Sequence, residues 1–75
     1  MNKLEEIIKI LKEKEIHKAD YVSKKALLAI LYKILNEKYG YTSMSTIYNY
    51  YRLLKLTGKI TEDTKSDKII FNFET

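Results

Sequence analysis

Cysteine and proline are absent from this 75-residue chain, and glycine occurs only twice. The absence of cysteine excludes a disulfide framework, a thiolate zinc ligand and a thiol nucleophile. Stability must therefore come from packing, and we expect the chain to lie in a reducing cytoplasm. The scarcity of proline and glycine favours long helices over a turn-rich all-β fold.

The usual signals of membrane insertion and of catalysis are missing too. No apolar run approaches the roughly 20 residues that cross a bilayer, so we expect a soluble protein with no membrane partner. There is no glycine-rich phosphate loop. The one histidine, His17, has no cysteine or carboxylate pair beside it, which indicates an exposed loop residue rather than a metal ligand or base. We therefore expect a single small domain that is not an enzyme and holds no metal or cofactor.

Acidic residues are almost missing from the middle of the chain. Residues 21–60 contain seven lysine or arginine residues but only one acid, Glu37, whereas residues 61–75 contain two lysines and four acids. This central excess, within a net charge of +4, is typical of a chain with a polyanionic partner, above all nucleic acid. The alternative is an ordinary solvated lysine surface. The abundance of Lys, Glu, Ile and Tyr, without glutamine, also resembles the usage of hyperthermophile proteins.

Three stretches carry apolar residues at helical spacing, and each follows a residue that can cap a helix N-terminus. Asn2 and Ser23 precede the first two stretches, and Ser43 or Thr42 precedes the third. Glycine follows the second and third stretches, where helices commonly end in an αL residue. These signals predict helices at residues 3–14, 24–39 and 44–57.

The second predicted helix has a broad apolar arc, which implies a central position or a subunit contact. Leu28 and Tyr32 extend this arc, and Ile10 lies off the main stripe of the first helix. We therefore expect a homodimer with a two-fold contact that includes Ile10, Leu28 and Tyr32. The alternative is that these residues cover the hairpin of the same chain. The expected core stripe of the second helix is Ala26, Leu27, Ile30, Leu31, Ile34 and Leu35.

The third predicted helix has two faces of different chemistry, each with residues three or four positions apart. One is apolar and is expected to face the core, and the other is polar. Four tyrosines of the chain, at 21, 39, 50 and 51, are interpreted as core residues rather than as stacking platforms for bases. The apolar face consists of Ile47, Tyr50, Tyr51 and Leu54, and the polar face of Ser45, Tyr48, Asn49 and Arg52.

The periodicity changes after Gly58 to one that is typical of strands. Residues 59–61 and 68–73 are predicted strands, the second rich in β-branched and aromatic residues. The polar run 62–67 separates them, so residues 59–73 are expected to form a hairpin with a mobile tip. Upstream, residues 21–22 are a candidate for a brief strand before the second helix.

Residues 43–60, SMSTIYNYYRLLKLTGKI, resemble the recognition helix and first wing strand of winged helix-turn-helix proteins, of the small archaeal or viral regulator type. With the helices upstream and the hairpin downstream, the resemblance covers nearly the whole chain. Lys59 departs from the pattern, in which an apolar residue follows the glycine, and Tyr51 replaces the usual leucine. The matching positions are Ser45, Thr46 and Ile47 for the family's Ser-Thr-Val, Tyr51 and Leu54 for its two buried positions, and Gly58 and Ile60 for its closing Gly-Leu-Ile.

The resemblance implies an α+β winged helix-turn-helix fold whose third helix enters a DNA major groove while the hairpin, the wing, touches the flanking backbone or the minor groove. Side-chain chemistry agrees for the helix, because Asn49 can pair with adenine, Arg52 with guanine or phosphate, and Tyr48 with a sugar or a thymine methyl group. Serine and threonine at the helix N-terminus suit a phosphate oxygen. The wing fits less well, since Lys65 and Lys68 are outnumbered there by acids.

These observations predict sequence-specific binding of double-stranded DNA, as by a small transcriptional regulator. One alternative is a solvated helix surface with no ligand. Another is a protein-interaction adaptor with the same fold in a larger assembly, which the acidic wing favours. The candidate DNA-binding residues are Ser43, Met44, Ser45, Thr46, Tyr48, Asn49, Arg52, Lys55 and Lys65.

Overall fold

The computed structural model describes residues 2–73. Three α-helices precede a two-stranded antiparallel hairpin, which is the α+β layout predicted from the sequence and which matches a winged helix. A single 3₁₀ turn, at Ile16–Lys18, lies between the first two helices and was not predicted. The elements are α1 (Lys3–Glu13), α2 (Lys24–Tyr39), α3 (Met44–Leu56), β1 (Ile60–Asp63) and β2 (Lys68–Phe71).

Side-chain caps start all three helices, as the sequence predicts. In each case the side-chain oxygen accepts a hydrogen bond from the backbone N–H three residues later, which satisfies one of the unpaired donors of the first turn. The cap of α3 is the serine at 43 and not the neighbouring threonine. The bonds run from the amides of Glu5, Ala26 and Thr46 to Asn2, Ser23 and Ser43, at 2.8, 3.1 and 3.3 Å.

The helices end within one residue of the predicted positions. Lys14 and Thr57, predicted as the last residues of α1 and α3, are the C-caps that follow them. Gly40 ends α2 with φ of 83° and ψ of −149°. The prediction of an αL conformation was wrong in ψ, but the backbone there lies in a region that is open essentially to glycine alone.

The core lies where the three helices meet the hairpin. Buried side chains come from all three helices and from both strands, and each helix contacts more than one other element. Ala26 is exposed, contrary to the predicted core stripe, because the buried side of α2 is centred on Leu27 and Leu31 and a turn of 100° per residue carries Ala26 away from it. The largest fully buried side chains are Ile7, Leu11, Leu27, Leu31, Leu35, Ile47, Leu54 and Ile60.

The hairpin is shifted slightly from its predicted bounds. β1 begins one residue later and continues two residues further than expected, and β2 ends at Phe71 rather than at residue 73. Ile60 pairs with Phe71 and Asp63 with Lys68, so residues 64–67 form the tip.

The segment before α2 holds the hairpin in place. Residues 21–22 form no strand, but the Val22 carbonyl accepts a hydrogen bond from the Ile69 amide at 2.8 Å. The Tyr21 hydroxyl donates to the carbonyls of Ser66 and Asp67, at 3.2 and 2.7 Å. The prediction that Tyr21 is a core residue was wrong. Its side chain is 55% exposed and connects the start of α2 to the hairpin tip.

Two further aromatic predictions were wrong in position. Tyr39 is 37% exposed, because its hydroxyl donates to Glu6 and so ties the end of α2 to α1. This hydrogen bond to a carboxylate raises the pKa of Tyr39 to about 12 and lowers the pKa of Glu6. His17 is half-buried in the 3₁₀ turn rather than exposed in a loop, with its ring centroid 5.8 Å from that of Phe73. Tyr51 is buried as predicted, and Tyr50 is half-buried.

Between residues 2 and 73, no helix is long and apolar enough to cross a membrane.

Candidate nucleic-acid interface

The two faces of α3 are separated as the sequence predicts. Ile47 and Leu54 are fully buried and Tyr51 is 3% exposed, so this side of the helix belongs to the core. The polar face is directed to solvent, because the helical repeat places its members about half a turn from the buried ones. All four of its side chains are exposed: Ser45, Tyr48, Asn49 and Arg52.

The exposed face of α3 lines a shallow groove of about 410 Å³, here called the α3 groove. The first residue of α2, Lys24, closes one side of it. Among the described residues, none of those lining this groove is acidic. A concave surface with three cations and several hydrogen-bonding groups is suited to a polyanion that presents both charge and polar edges. The lining residues are Lys24, Ser45, Tyr48, Asn49, Tyr51, Arg52 and Lys55.

Asn49 and Arg52 act as a pair within this groove. The Arg52 guanidinium donates from Nη2 to Asn49 Oδ1 at 2.9 Å, an i, i+3 contact along the helix. The bond holds the guanidinium along the exposed surface of α3, and the Asn49 amide NH₂ group can still donate. The two side chains that the sequence assigned to separate bases therefore form one hydrogen-bonding unit.

Lys55 lies in the α3 groove and forms an ion pair with Glu62 of the wing. Its Nζ is 3.2 Å from Glu62 Oε1, and the buried Tyr51 hydroxyl donates to the same oxygen at 2.6 Å. These hydrogen bonds, from Tyr51 first and Lys55 second, lower the pKa of Glu62. Burial, and then the bond to the carboxylate, raises the pKa of Tyr51. The Glu62 carboxylate therefore pairs with the Lys55 ammonium and reduces the net positive charge beside it.

The sequence assigned no role to Glu62. Its contact with α3 depends on the turn of the chain after Gly58, which brings β1 back along the helix. The one local signal is the predicted burial of Tyr51, because a buried tyrosine hydroxyl needs a hydrogen-bond partner.

Three predicted residues at the start of α3 do not share the α3 groove. Ser43 Oγ accepts the Thr46 N–H as the helix cap and lies 3.1 Å from Thr46 Oγ1. Both residues border a separate depression, with Tyr39, Tyr41 and others, on another side of the helix. Met44 is 50% exposed and faces α2.

Lys65 also lies apart, in the hairpin tip. Its backbone N–H donates to Asp63 Oδ1 at 3.2 Å, which places a carboxylate beside it. Of the nine candidate residues, the structure therefore brings five into the α3 groove: Ser45, Tyr48, Asn49, Arg52 and Lys55.

The three residues predicted for a dimer contact differ in exposure. Leu28 is 9% exposed and belongs to the core, and Ile10 is half-buried against it. Tyr32 is 43% exposed. Only Tyr32 therefore offers a large apolar surface to a second chain.

Comparisons with protein-family models, with curated proteins and with solved structures find no match to this chain. In the part of the chain that the structure describes, no group of three or more His, Cys, Asp or Glu side chains is placed to hold a metal ion.

Proposed function

We propose that this chain binds double-stranded DNA through the α3 groove, as a small transcriptional regulator in the cytoplasm. The observation that carries the proposal is the convergence of Ser45, Tyr48, Asn49 and Arg52, all exposed, on one face of a helix that stands at the surface. A helix with this exposed polar face fits the major groove, where side chains reach base edges.

The chemistry of the α3 groove supports base contacts by the paired side chains. Arg52 can donate to guanine or to phosphate, and the Asn49 amide can donate to a base acceptor while its oxygen receives Arg52. Tyr48 offers an aromatic ring, 49% exposed, to a sugar or a thymine methyl group. Lys24, at the start of α2, is placed for a backbone phosphate.

Binding as a homodimer is part of the proposal, because one recognition helix spans only a few base pairs. The expected two-fold contact runs through α1 at Ile10, which is half-buried. Sedimentation equilibrium at micromolar concentration measures the mass of the free chain. A dimer is expected, and Ile10→Glu is expected to convert it to a monomer, whereas a monomeric parent chain would contradict this part of the proposal.

Titration of a fluorescently labelled random-sequence duplex at two salt concentrations tests the DNA proposal. If each of the three cations of the α3 groove neutralises one phosphate, affinity falls about 40-fold between about 50 and about 200 mM salt, because counterion release is less favourable at higher salt. Fluorescence anisotropy reports the bound fraction. Absence of binding at the lower salt concentration would overturn the proposal.

The adaptor alternative has one observation in its favour, namely that Glu62 neutralises Lys55 and so removes a cation from the α3 groove. An adaptor has no phosphate contacts to lose. The same titration separates the two functions, since the adaptor predicts no salt-dependent binding of the duplex.

A further inference from the structure

A second groove lies beside the first, between α2 and the start of α3. It encloses about 400 Å³ and is here called the apolar groove. Three of its side chains, Tyr32, Met44 and Tyr48, are large and about half exposed, at 43, 50 and 49%. In the described part of the chain, Lys25 is the one charged residue among those that line it. The full lining is Lys25, Leu28, Ala29, Tyr32, Met44 and Tyr48.

The apolar groove is elongated along α2. Lys25, Ala29 and Tyr32 follow one another along α2 at positions i, i+4 and i+7, so the groove extends over two turns of this helix. Met44 and Tyr48, four residues apart on α3, form the opposite wall. Two helices that leave an apolar channel between them are the usual receptor for the apolar stripe of a third helix.

The charge that lines the apolar groove is positive. Lys25 lines it, and Lys24 and Lys33 lie on the same helix, while Glu37 is the only acid in residues 21–60. Charge complementarity therefore selects a negatively charged occupant. Phosphate backbone satisfies the charge but offers little apolar surface to Tyr32 and Met44, whereas an acidic amphipathic helix satisfies both.

We propose that the apolar groove docks an acidic amphipathic helix from another protein. Apolar side chains of that helix, spaced three or four residues apart, pack between Tyr32 and Met44 over Leu28. Its carboxylates lie over Lys25, the charged residue that lines the groove. Half-exposed aromatic and methionine side chains are common anchors in interfaces of this kind.

Tyr48 lines both grooves, which links the two binding events. A helix packed against Tyr48 covers part of the surface that the proposed DNA complex uses, so the acidic helix and the duplex compete. This competition rests on the proposed DNA binding, whereas docking of the helix does not.

Anisotropy of a labelled synthetic peptide tests the docking. The probe is an amphipathic helix of about four turns, with leucine at positions i, i+3, i+4 and i+7 and glutamate at most other positions. A matched peptide carries lysine in place of each glutamate. The acidic peptide is expected to bind at least about tenfold more tightly than the lysine peptide, because the groove and its rim are positive.

Three variants locate the binding. Met44→Glu is expected to weaken the acidic peptide by about tenfold or more, because it places a carboxylate in the apolar groove. Glutamate in the first turn of α3 interacts favourably with the helix dipole, so this variant keeps the fold. Ala29→Gln is expected to weaken the peptide without weakening the duplex, because Ala29 is exposed in the apolar groove and does not line the α3 groove. The control is Leu56→Glu, at an apolar residue that is 74% exposed and lies outside the groove, and it is expected to leave peptide binding unchanged.

Equal binding of the two peptides, or equal losses in Met44→Glu and Leu56→Glu, would overturn the proposal. The proposal would also be overturned if the parent chain forms a dimer, binds no peptide, and becomes monomeric in Met44→Glu. A second copy of the chain would then occupy the groove. If the peptide binds and no duplex does, the docking proposal stands and the DNA proposal fails.

Discussion

The exposed face of α3 and the wing lie side by side, yet their charged side chains have different kinds of hydrogen-bond partner. On α3, the guanidinium of Arg52 is bonded to a neutral partner, Asn49, and keeps its charge for a ligand. On the wing, the carboxylate of Glu62 is bonded to Tyr51 and Lys55, both on the helix. The wing is thus a brace for α3, and it lowers the positive charge available beside it.

The hairpin tip follows the same pattern. Asp63 Oδ1 accepts the backbone N–H groups of Lys65 and Ser66. The Tyr21 hydroxyl donates to the backbone carbonyls of Ser66 and Asp67. These polar groups form hydrogen bonds with one another, so they stabilise the turn and are not left to bind a ligand. The proposed recognition therefore falls to α3 and a structural role to the wing, and four substitutions test this division.

Leu54→Ala is expected to have the largest effect, on stability. Leu54 is fully buried, so its truncation removes apolar contacts and leaves a cavity at the junction of α3 with the core. The free energy of unfolding is expected to fall by about 2 to 5 kcal/mol, measured by chemical denaturation. The matched control is Leu56→Ala, which removes the same group from a side chain that is 74% exposed and is expected to change stability little. Equal effects would show that the inner face of α3 is wrongly assigned.

Arg52→Ala is expected to have the next largest effect, on DNA affinity alone. Loss of a contact to base or phosphate weakens binding by about 1 to 3 kcal/mol, measured by anisotropy of a labelled duplex. The thermal midpoint is expected to stay the same, because the side chain is exposed. Lys9→Ala removes one exposed cation from α1 and serves as the control. A similar loss in both variants would show that net charge, and not the α3 groove, determines binding.

Glu62→Gln is expected to have a smaller effect, in the direction of tighter binding. The change removes the carboxylate beside Lys55 and so leaves more of that cation's charge for phosphate. Affinity for the duplex is expected to rise by about 0.5 to 1 kcal/mol, the range of a partly exposed ion pair. Glu13→Gln removes the same charge from an exposed position on α1 and is the control. Weaker binding in Glu62→Gln would contradict the neutralising role given to Glu62.

Lys65→Ala is expected to have the smallest effect, within about 0.5 kcal/mol in both DNA affinity and stability. Lys65 lies in the tip beside Asp63 and outside the α3 groove. Duplex titration and denaturation of the same variant measure the two quantities. A loss of affinity as large as that of Arg52→Ala would mean that the wing does contact the DNA.

Several parts of the candidate site could be predicted from the sequence because they depend on helical geometry alone. The cap at Ser43 and the repeat of about 3.6 residues place Ser45, Tyr48, Asn49 and Arg52 on one face wherever the helix packs. The Asn49 to Arg52 bond also lies within one turn, yet the residue types allow other rotamers and partners. Spacing brought the two side chains together, and the structure shows that they bond.

The amino-acid sequence by itself determined the order of elements, the three capped helices and the two faces of α3, because periodicity and capping act over a few residues. Only the tertiary structure decided the contacts between residues far apart in the chain. Tyr21 and Asp67 are 46 residues apart, Tyr39 and Glu6 are 33 apart, and Tyr51 and Glu62 are 11 apart. In each case a tyrosine body packs on the protein while its hydroxyl reaches a polar group from another element. Local spacing predicts which face of a helix such a ring lies on. The packing of the helices against the hairpin determines which oxygen its hydroxyl binds and whether the ring is buried.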